Sequence, residues 1–243
     1  MATAERLLAL RDRTVVHLSY ADLSARLALI VRYLPGLQSE SPLRRFFFVD
    51  VPVGTTSGLE VVQLHLPTDR LARSDLSDWL AVCRANNLIT AASFAAAPLV
   101  LNPAFFPRRR VPPFYLQAMA DCSARAATLL AHSGGPAPED TVSSEIAALY
   151  SAYFPRRSNR RGALELYAAW LEHTATGSVA PTPTRVDRQT VQWGLVARLA
   201  HTQAVRLRGP DYPGGLMREA ALVRRLLRTE TEPATWSPTE TGT

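Results

Sequence analysis

Lysine is missing from this 243-residue chain, so every fixed side-chain positive charge is arginine. That excludes Schiff-base chemistry on lysine, a P-loop lysine and lysine acetylation. Cysteine is nearly absent as well: Cys83 and Cys122 are the two, both on segments with helical apolar spacing. They form no disulfide framework or zinc pattern, and the expectation is buried, reduced thiols in a cytosolic or nuclear setting. Glycine is sparse at 12 residues, and Gly134-Gly135 runs into prolines rather than into a phosphate-cradling helix. Long hydrophobic runs are also lacking. The least polar stretch, Leu88 to Leu101, is too short to span a bilayer and is broken by Pro98. Near the N-terminus, Arg11, Asp12 and Arg13 interrupt the apolar residues, and no glycine follows Met1, so neither a signal peptide nor a myristoylation motif is expected.

What is present is 47% apolar residues and a net charge of +6, enough to bury a core without metal or disulfide support. Abundant alanine, arginine and proline without lysine matches a GC-rich coding bias, which makes the positive charge a weak sign of nucleic-acid binding.

Apolar periodicity predicts a helix over Asp22–Leu34, with Leu23, Leu27, Ile30, Val31 and Leu34 on one face and Pro35-Gly36 as the stop. Two β-rich runs, Arg45–Val53 and Leu59–Leu66, flank "GTTSG" and predict a hairpin. A helix opens after Ser74, carrying Leu76, Trp79, Leu80 and Cys83 on one face. Leu88–Leu101 predicts one or two buried strands. The second half is helical throughout. Its helices open at Pro112-Pro113, at Asp140 or Thr141, and in "NRRGALELYAAWLEHT", "DRQTVQWGLVARLAHTQAVRL" and "GGLMREAALVRRLLR". The expected fold is α+β: one domain over residues 1–228, with an N-terminal helix, a small hairpin-based sheet and a C-terminal helical bundle. Residues 229–243, "TETEPATWSPTETGT", are polar and acidic, with Trp236 their single large apolar side chain, and predict a disordered tail.

Catalytic and cofactor motifs fail inspection. His17, His65, His132, His173 and His201 are scattered, with no His-Glu-x-x-His spacing, and no strained Gly-x-Ser-x-Gly turn occurs. Asp22, Asp75, Asp78, Asp140 and Asp187 mark helix starts, where they offset exposed amides. No cofactor and no metal are expected. A hydrolase built on a cysteine or histidine brought together in space remains as an alternative. Two arginine clusters, Arg108-Arg109-Arg110 and Arg156-Arg157 with Arg160-Arg161, each follow an aromatic–proline pair. They are candidate anionic-ligand contacts, and nucleic acid is the alternative partner they suggest. Solvated turns before helices explain them more simply, since no RNP, KH or zinc-finger pattern accompanies them.

The succession "FFVDVPVGTTSGLEVVQL", "SDLSDWLAVCR", "APLVLNPAFFPRRRVPPFYLQAMADC" and "VQWGLVARLAH" resembles the herpesvirus cytoplasmic envelopment protein 1 family of tegument proteins. The resemblance covers Phe46 to His201 loosely and is tightest around Pro98–Leu101. This chain is shorter, and its C-terminal part has no clear counterpart. The resemblance implies a non-enzymatic assembly factor. Its partner would be a palmitoylated tegument protein with membrane-remodelling helices, and it would support wrapping of capsids at Golgi-derived membranes. Location in the virion tegument, host cytoplasm and, through the partner, host Golgi membranes follows from the same resemblance. Such a protein binds partner helices through a few aromatic and aliphatic anchors, for which Tyr150, Tyr153, Phe154, Trp170 and Trp193 are the candidates.

Overall fold

A computed structural model describes residues 13–35, 47–51, 61–67, 73–95, 113–177, 188–209 and 214–231. Within them a four-stranded antiparallel sheet leads into five long helices, the α+β arrangement that the sequence pattern predicts.

The sheet runs β2 (Phe47–Val51), β3 (Val61–Pro67), β1 (Arg13–Tyr20), β4 (Ile89–Ala95), each neighbour antiparallel. Periodicity leaves β1 unassigned, although it lies between β3 and β4. Val15, Val16, Leu18 and Tyr20 are all buried, so two adjacent residues point to opposite faces with water on neither, and the polar alternation that marks a half-exposed strand is lost. The predicted hairpin is present as β2 and β3, with Phe47 opposite His65 and Val51 opposite Val61; its "GTTSG" turn lies outside the described residues. Paired registers align Phe48, Leu64, Val16 and Phe94 in one row across all four strands.

The first helix departs from its expected face. Asp22 caps α1 (Leu23–Ala28) by accepting the Ala25 N–H at 2.7 Å. The helix then widens into a π turn over Leu29–Tyr33, where the Leu34 N–H reaches the Leu29 carbonyl. The wider turn aligns Leu29 with Leu34, and both are buried, whereas Leu23 is 57% exposed. A strict 3.6-residue period had put Leu23 on the core face and left Leu29 off it. Helix α2 (Arg73–Ala85) is tied to the π turn by its Trp79 indole, which donates to the Tyr33 carbonyl at 3.2 Å. It ends in a left-handed Asn87, φ 55°, with the Leu88 N–H returning to the Cys83 carbonyl.

Strand β4 revises a second expectation. Leu88–Leu101 reads as buried, yet Thr90, Ala91, Ser93 and Phe94 are exposed, because β4 is an edge strand among the described residues; Leu99–Leu101 lie outside them.

The bundle comprises α3 (Pro113–Ser133), α4 (Glu139–Tyr153), α5 (Arg157–Ala175), α6 (Arg188–Arg208) and α7 (Gly214–Thr231). Gly134, φ 65°, closes α3 where glycine tolerates the left-handed turn. Pro138, rather than Asp140 or Thr141, occupies the position before α4, which puts Glu139 and Asp140 in the first turn against the helix dipole. Helix α5 lies along α7, while α3 and α4 lie along α6. One apolar cluster joins the sheet residues Val16, Leu18 and Leu64 to Tyr150, Tyr167, Leu207 and Val223 of the helices. Each large side chain so buried contributes about 1.5–3 kcal/mol. Helix α7 continues to Thr231, three residues beyond the boundary the composition suggests.

Candidate functional site

Two buried polar constellations stand out, and each begins from a polar residue on the apolar side of α6. The first closes the β2 edge of the sheet. An edge strand leaves N–H and C=O groups without a strand partner, and burying them unpaired costs free energy. Here the Phe48 N–H donates to Ser123 Oγ of α3 at 3.2 Å, and the Phe48 carbonyl accepts from Arg206 Nε of α6 at 2.7 Å. Arg206 is fully buried, and its guanidinium also lies 5.2 Å from the centre of the Phe48 ring. Its own carbonyl accepts from Arg26 Nη2 of α1 at 2.9 Å. Gln203, one turn earlier, donates to Glu145 of α4, and Glu145 takes Arg125 Nε on both oxygens at 2.6 and 2.7 Å. Around this junction Phe47 stacks on His65 at 4.5 Å and packs with Tyr115, Met119, Leu195 and Leu199. Polar bonds and apolar packing thus join α1, α3, α4 and α6 to one strand edge.

The second constellation joins α5, α6 and α7. Glu219, 2% exposed, accepts the Tyr167 hydroxyl on one carboxylate oxygen and meets His201 Nδ1 at 2.9 Å on the other. Trp170 sets its ring edge-on to His201 at 5.3 Å, and Tyr150 stacks on Tyr167 at 5.7 Å. Burial, reinforced by the Glu219 carboxylate, drives the phenols of Tyr167 and Tyr150 well above the ordinary tyrosine range. The Tyr150 hydroxyl has no partner among the described residues. A carboxylate, an imidazole and a phenol in one chain of bonds are components of acid–base chemistry. Here they bond α5, α6 and α7 to one another: His201 is one-fifth exposed, and Glu219 lies behind it at 3% of its side chain.

Nucleophile chemistry finds little footing. Burial pushes the Cys83 thiol to about 12 and raises that of Cys122, so both stay protonated at neutral pH. His17 is shifted the other way, its pKa lowered by burial. Among the described residues no three His, Cys, Asp or Glu converge to hold a metal ion, and no helix is long and apolar enough to cross a membrane.

The five aromatic anchor candidates separate by depth. Tyr150 and Phe154 are core residues, at 0% and 4% exposure. Tyr153, Trp170 and Trp193 are half-buried against the same core. Tyr153 supplies its carbonyl to Gln192, and the Trp193 indole N–H is buried without a partner among the described residues. Of the arginines, Arg108, Arg109 and Arg110 lie outside the described residues. Arg156 and Arg157 are exposed at the start of α5, Arg160 donates to the Phe154 carbonyl at 3.4 Å, and Arg161 pairs with Glu165 at 3.0 Å. Among the described residues the exposed large apolar side chains are Leu23 and Phe94, which the sequence pattern places inside, together with Val82, Phe114, Leu166 and Met217. A signal for the buried polar network did exist: Gln203 shares a helical face with Ala200, Ala204 and Leu207, a polar residue where an apolar one belongs. Arg26 and Glu219 break the pattern in the same way. The chain matches no known protein family and no curated protein.

Proposed function

We propose that this chain is a non-enzymatic scaffold that acts by binding another protein. The more specific form of that reading is the one its sequence resemblance implies. It would be a herpesvirus tegument protein that joins a palmitoylated tegument partner and supports cytoplasmic envelopment at Golgi-derived membranes, reaching the membrane through that partner. The observation that carries the scaffold reading is how the buried polar groups are used. Arg206, Gln203, Glu145 and Glu219 bond helix to helix and helix to strand, while Phe114, Leu166 and Met217 stand about half exposed on α3, α5 and α7. Closed polar networks with apolar side chains displayed on rigid helices suit recognition of a partner helix. Among the anchor candidates Tyr153, Trp170 and Trp193 retain surface that a partner could cover; Tyr150 and Phe154 support them from beneath.

Co-expression with the palmitoylated tegument protein of the same virus, followed by size-exclusion chromatography with light scattering, tests the reading. A stable complex of defined mass is expected, weakened by Leu166→Glu or Met217→Glu with the fold retained by circular dichroism. Separate elution of the two chains would overturn the tegument assignment.

A further inference from the structure

Helix α5 starts against the electrostatics of a helix end. The first amides of a helix lack intrahelical partners, and its dipole favours negative charge there. Helix α1 meets that need with the Asp22 side chain, and α4 with Glu139 and Asp140. Helix α5 instead follows Arg156, whose side chain makes no cap, and its first turn holds no acidic residue. At the centre of its opening sequence, Pro-Arg-Arg-Ser-Asn-Arg-Arg, is Ser158. This serine is exposed at the second position of the helix, and its hydroxyl makes no hydrogen bond among the described residues.

Other exposed hydroxyls close to arginine in the sequence are placed differently. Thr128 lies within α3 and donates to the Ala124 carbonyl at 3.2 Å, while Thr229 lies near the end of α7 and donates to the Leu226 carbonyl at 2.8 Å. A phosphate on Thr229 would put negative charge at the negative end of a helix dipole, and one on Thr128 would meet no unpaired first-turn amide. On Ser158 the same group brings about two negative charges and three acceptor oxygens to the positive end of a helix.

The serine is also open to an enzyme. Kinases select substrates partly by charge pattern, and arginine on both sides of a serine suits one whose substrate groove is acidic. Arg156 and Arg157 are exposed, and the Arg161–Glu165 pair is a surface pair, which is exchanged at little cost. The buried residues of α5 begin at Ala163, so its first turn can open without disturbing the core.

We propose that Ser158 is a phosphoacceptor site for an arginine-directed serine/threonine kinase, and that the phosphate then caps α5. The Ser158 Oγ attacks the γ-phosphorus of ATP held with Mg²⁺ by the kinase. An O–P bond forms as the bond from that phosphorus to the β,γ-bridging oxygen breaks, ADP leaves, and the hydroxyl proton passes to a carboxylate of the kinase.

Incubating the full chain with the catalytic subunit of such a kinase, ATP and Mg²⁺, followed by mass spectrometry of peptides cut after glutamate, tests the site. One phosphate is expected on Ser158, lost in Ser158→Ala and kept in Ser158→Thr, Thr128→Ala and Thr229→Ala. Arg156→Ala with Arg157→Ala should slow its incorporation by about tenfold or more. The phosphorylated chain should melt about 1–4 °C higher by circular dichroism. That gain should shrink below about pH 6, where the phosphate takes up its second proton. Failure of the kinase to modify Ser158 in the chain would overturn the acceptor site, with a synthetic peptide of residues 150–165 separating a sequence the kinase cannot read from a helix it cannot open. A melting temperature that stays in place or falls on phosphorylation would overturn the cap.

Discussion

The sheet has two edges, and they are treated in opposite ways. At β2 both backbone groups of Phe48 are bonded to helices, the N–H to Ser123 and the carbonyl to Arg206, and the ring lies under a buried guanidinium. At β4 the corresponding position in the same row is Phe94, which is 63% exposed, with Ser93 and Ala91 also facing solvent. The lesson is that a buried arginine can serve as an edge cap. Its Nε supplies one directed donor, its face covers an aromatic ring, and its backbone carbonyl accepts from Arg26, tying in α1. The β2 edge is where the N-terminal sheet and the C-terminal bundle become one core, and the strongest effects of substitution belong there.

Removing the cap should be the most damaging change. Arg206→Met leaves the Phe48 carbonyl and Gln203 buried beside an apolar chain, for an expected loss of about 3–5 kcal/mol in urea unfolding. Arg206→Lys should recover little, since an ammonium group lacks the fixed fork that spans carbonyl and ring. Phe48→Ala, which empties the space below the guanidinium, should cost a similar 3–5 kcal/mol.

Alkaline pH probes the same edge by titration. Tyr115 packs beside Phe47, and burial, partly offset by Arg198 and Arg206, raises its phenol from 10 to about 12. The unfolded chain therefore loses this proton near pH 10, while the folded chain keeps it up to about pH 12. Its stabilising contribution is fully present below pH 10 and is lost as pH rises to about 12, amounting to roughly 2–3 kcal/mol at 1.36 kcal/mol per unit. Tyr115→Phe should flatten the alkaline fall in stability by about that amount. The part that survives belongs to groups such as Cys83, whose thiol burial likewise pushes up to about 12.

The contrast between the edges also shows what was legible beforehand. Long helices with one apolar stripe announce themselves, and α3 to α7 were expected where they lie, with Gly134 closing α3 as its position suggests. The hairpin was legible from β-branched and aromatic residues around a glycine-rich turn. Strand β1 was not, because burial on both faces erases alternation, and the π turn after α1 changes which leucines face inward. The edge cap was hidden for a different reason. Arg206 lies 158 residues from Phe48, and a lone arginine in an arginine-rich helix looks like a solvated one until the strand it serves is in place. The aromatic anchor candidates were drawn from apolar faces, which locate a core and a binding surface equally well, so Tyr150 and Phe154 entered beside Tyr153, Trp170 and Trp193.

Ser123 tests the weaker half of the cap. Its hydroxyl accepts from the Phe48 N–H and donates to the Met119 carbonyl at 2.9 Å, so the oxygen is oriented by its own helix. Ser123→Ala should cost about 1–2 kcal/mol, the penalty for one buried N–H left unpaired. Ser123→Cys, which keeps a weak acceptor, should recover part of it. Additivity with Arg206→Met should fail, because both substitutions free the same strand segment; a double-mutant cycle by urea unfolding measures that coupling.

At the far end of the row the expected effect nearly vanishes. Phe94 shares its row with Phe48 but keeps most of its surface in water, so Phe94→Ser should change stability by less than about 0.5 kcal/mol. An uncharged edge strand is also a template for pairing with another chain, since charges and prolines are what usually discourage it, and β4 reads Ile-Thr-Ala-Ala-Ser-Phe-Ala. Phe94→Lys should therefore lower any self-association seen by light scattering at high concentration while leaving the urea midpoint in place. A stability loss approaching that of Phe48→Ala would mean instead that β4 is covered as firmly as β2, and the difference between the two edges would disappear.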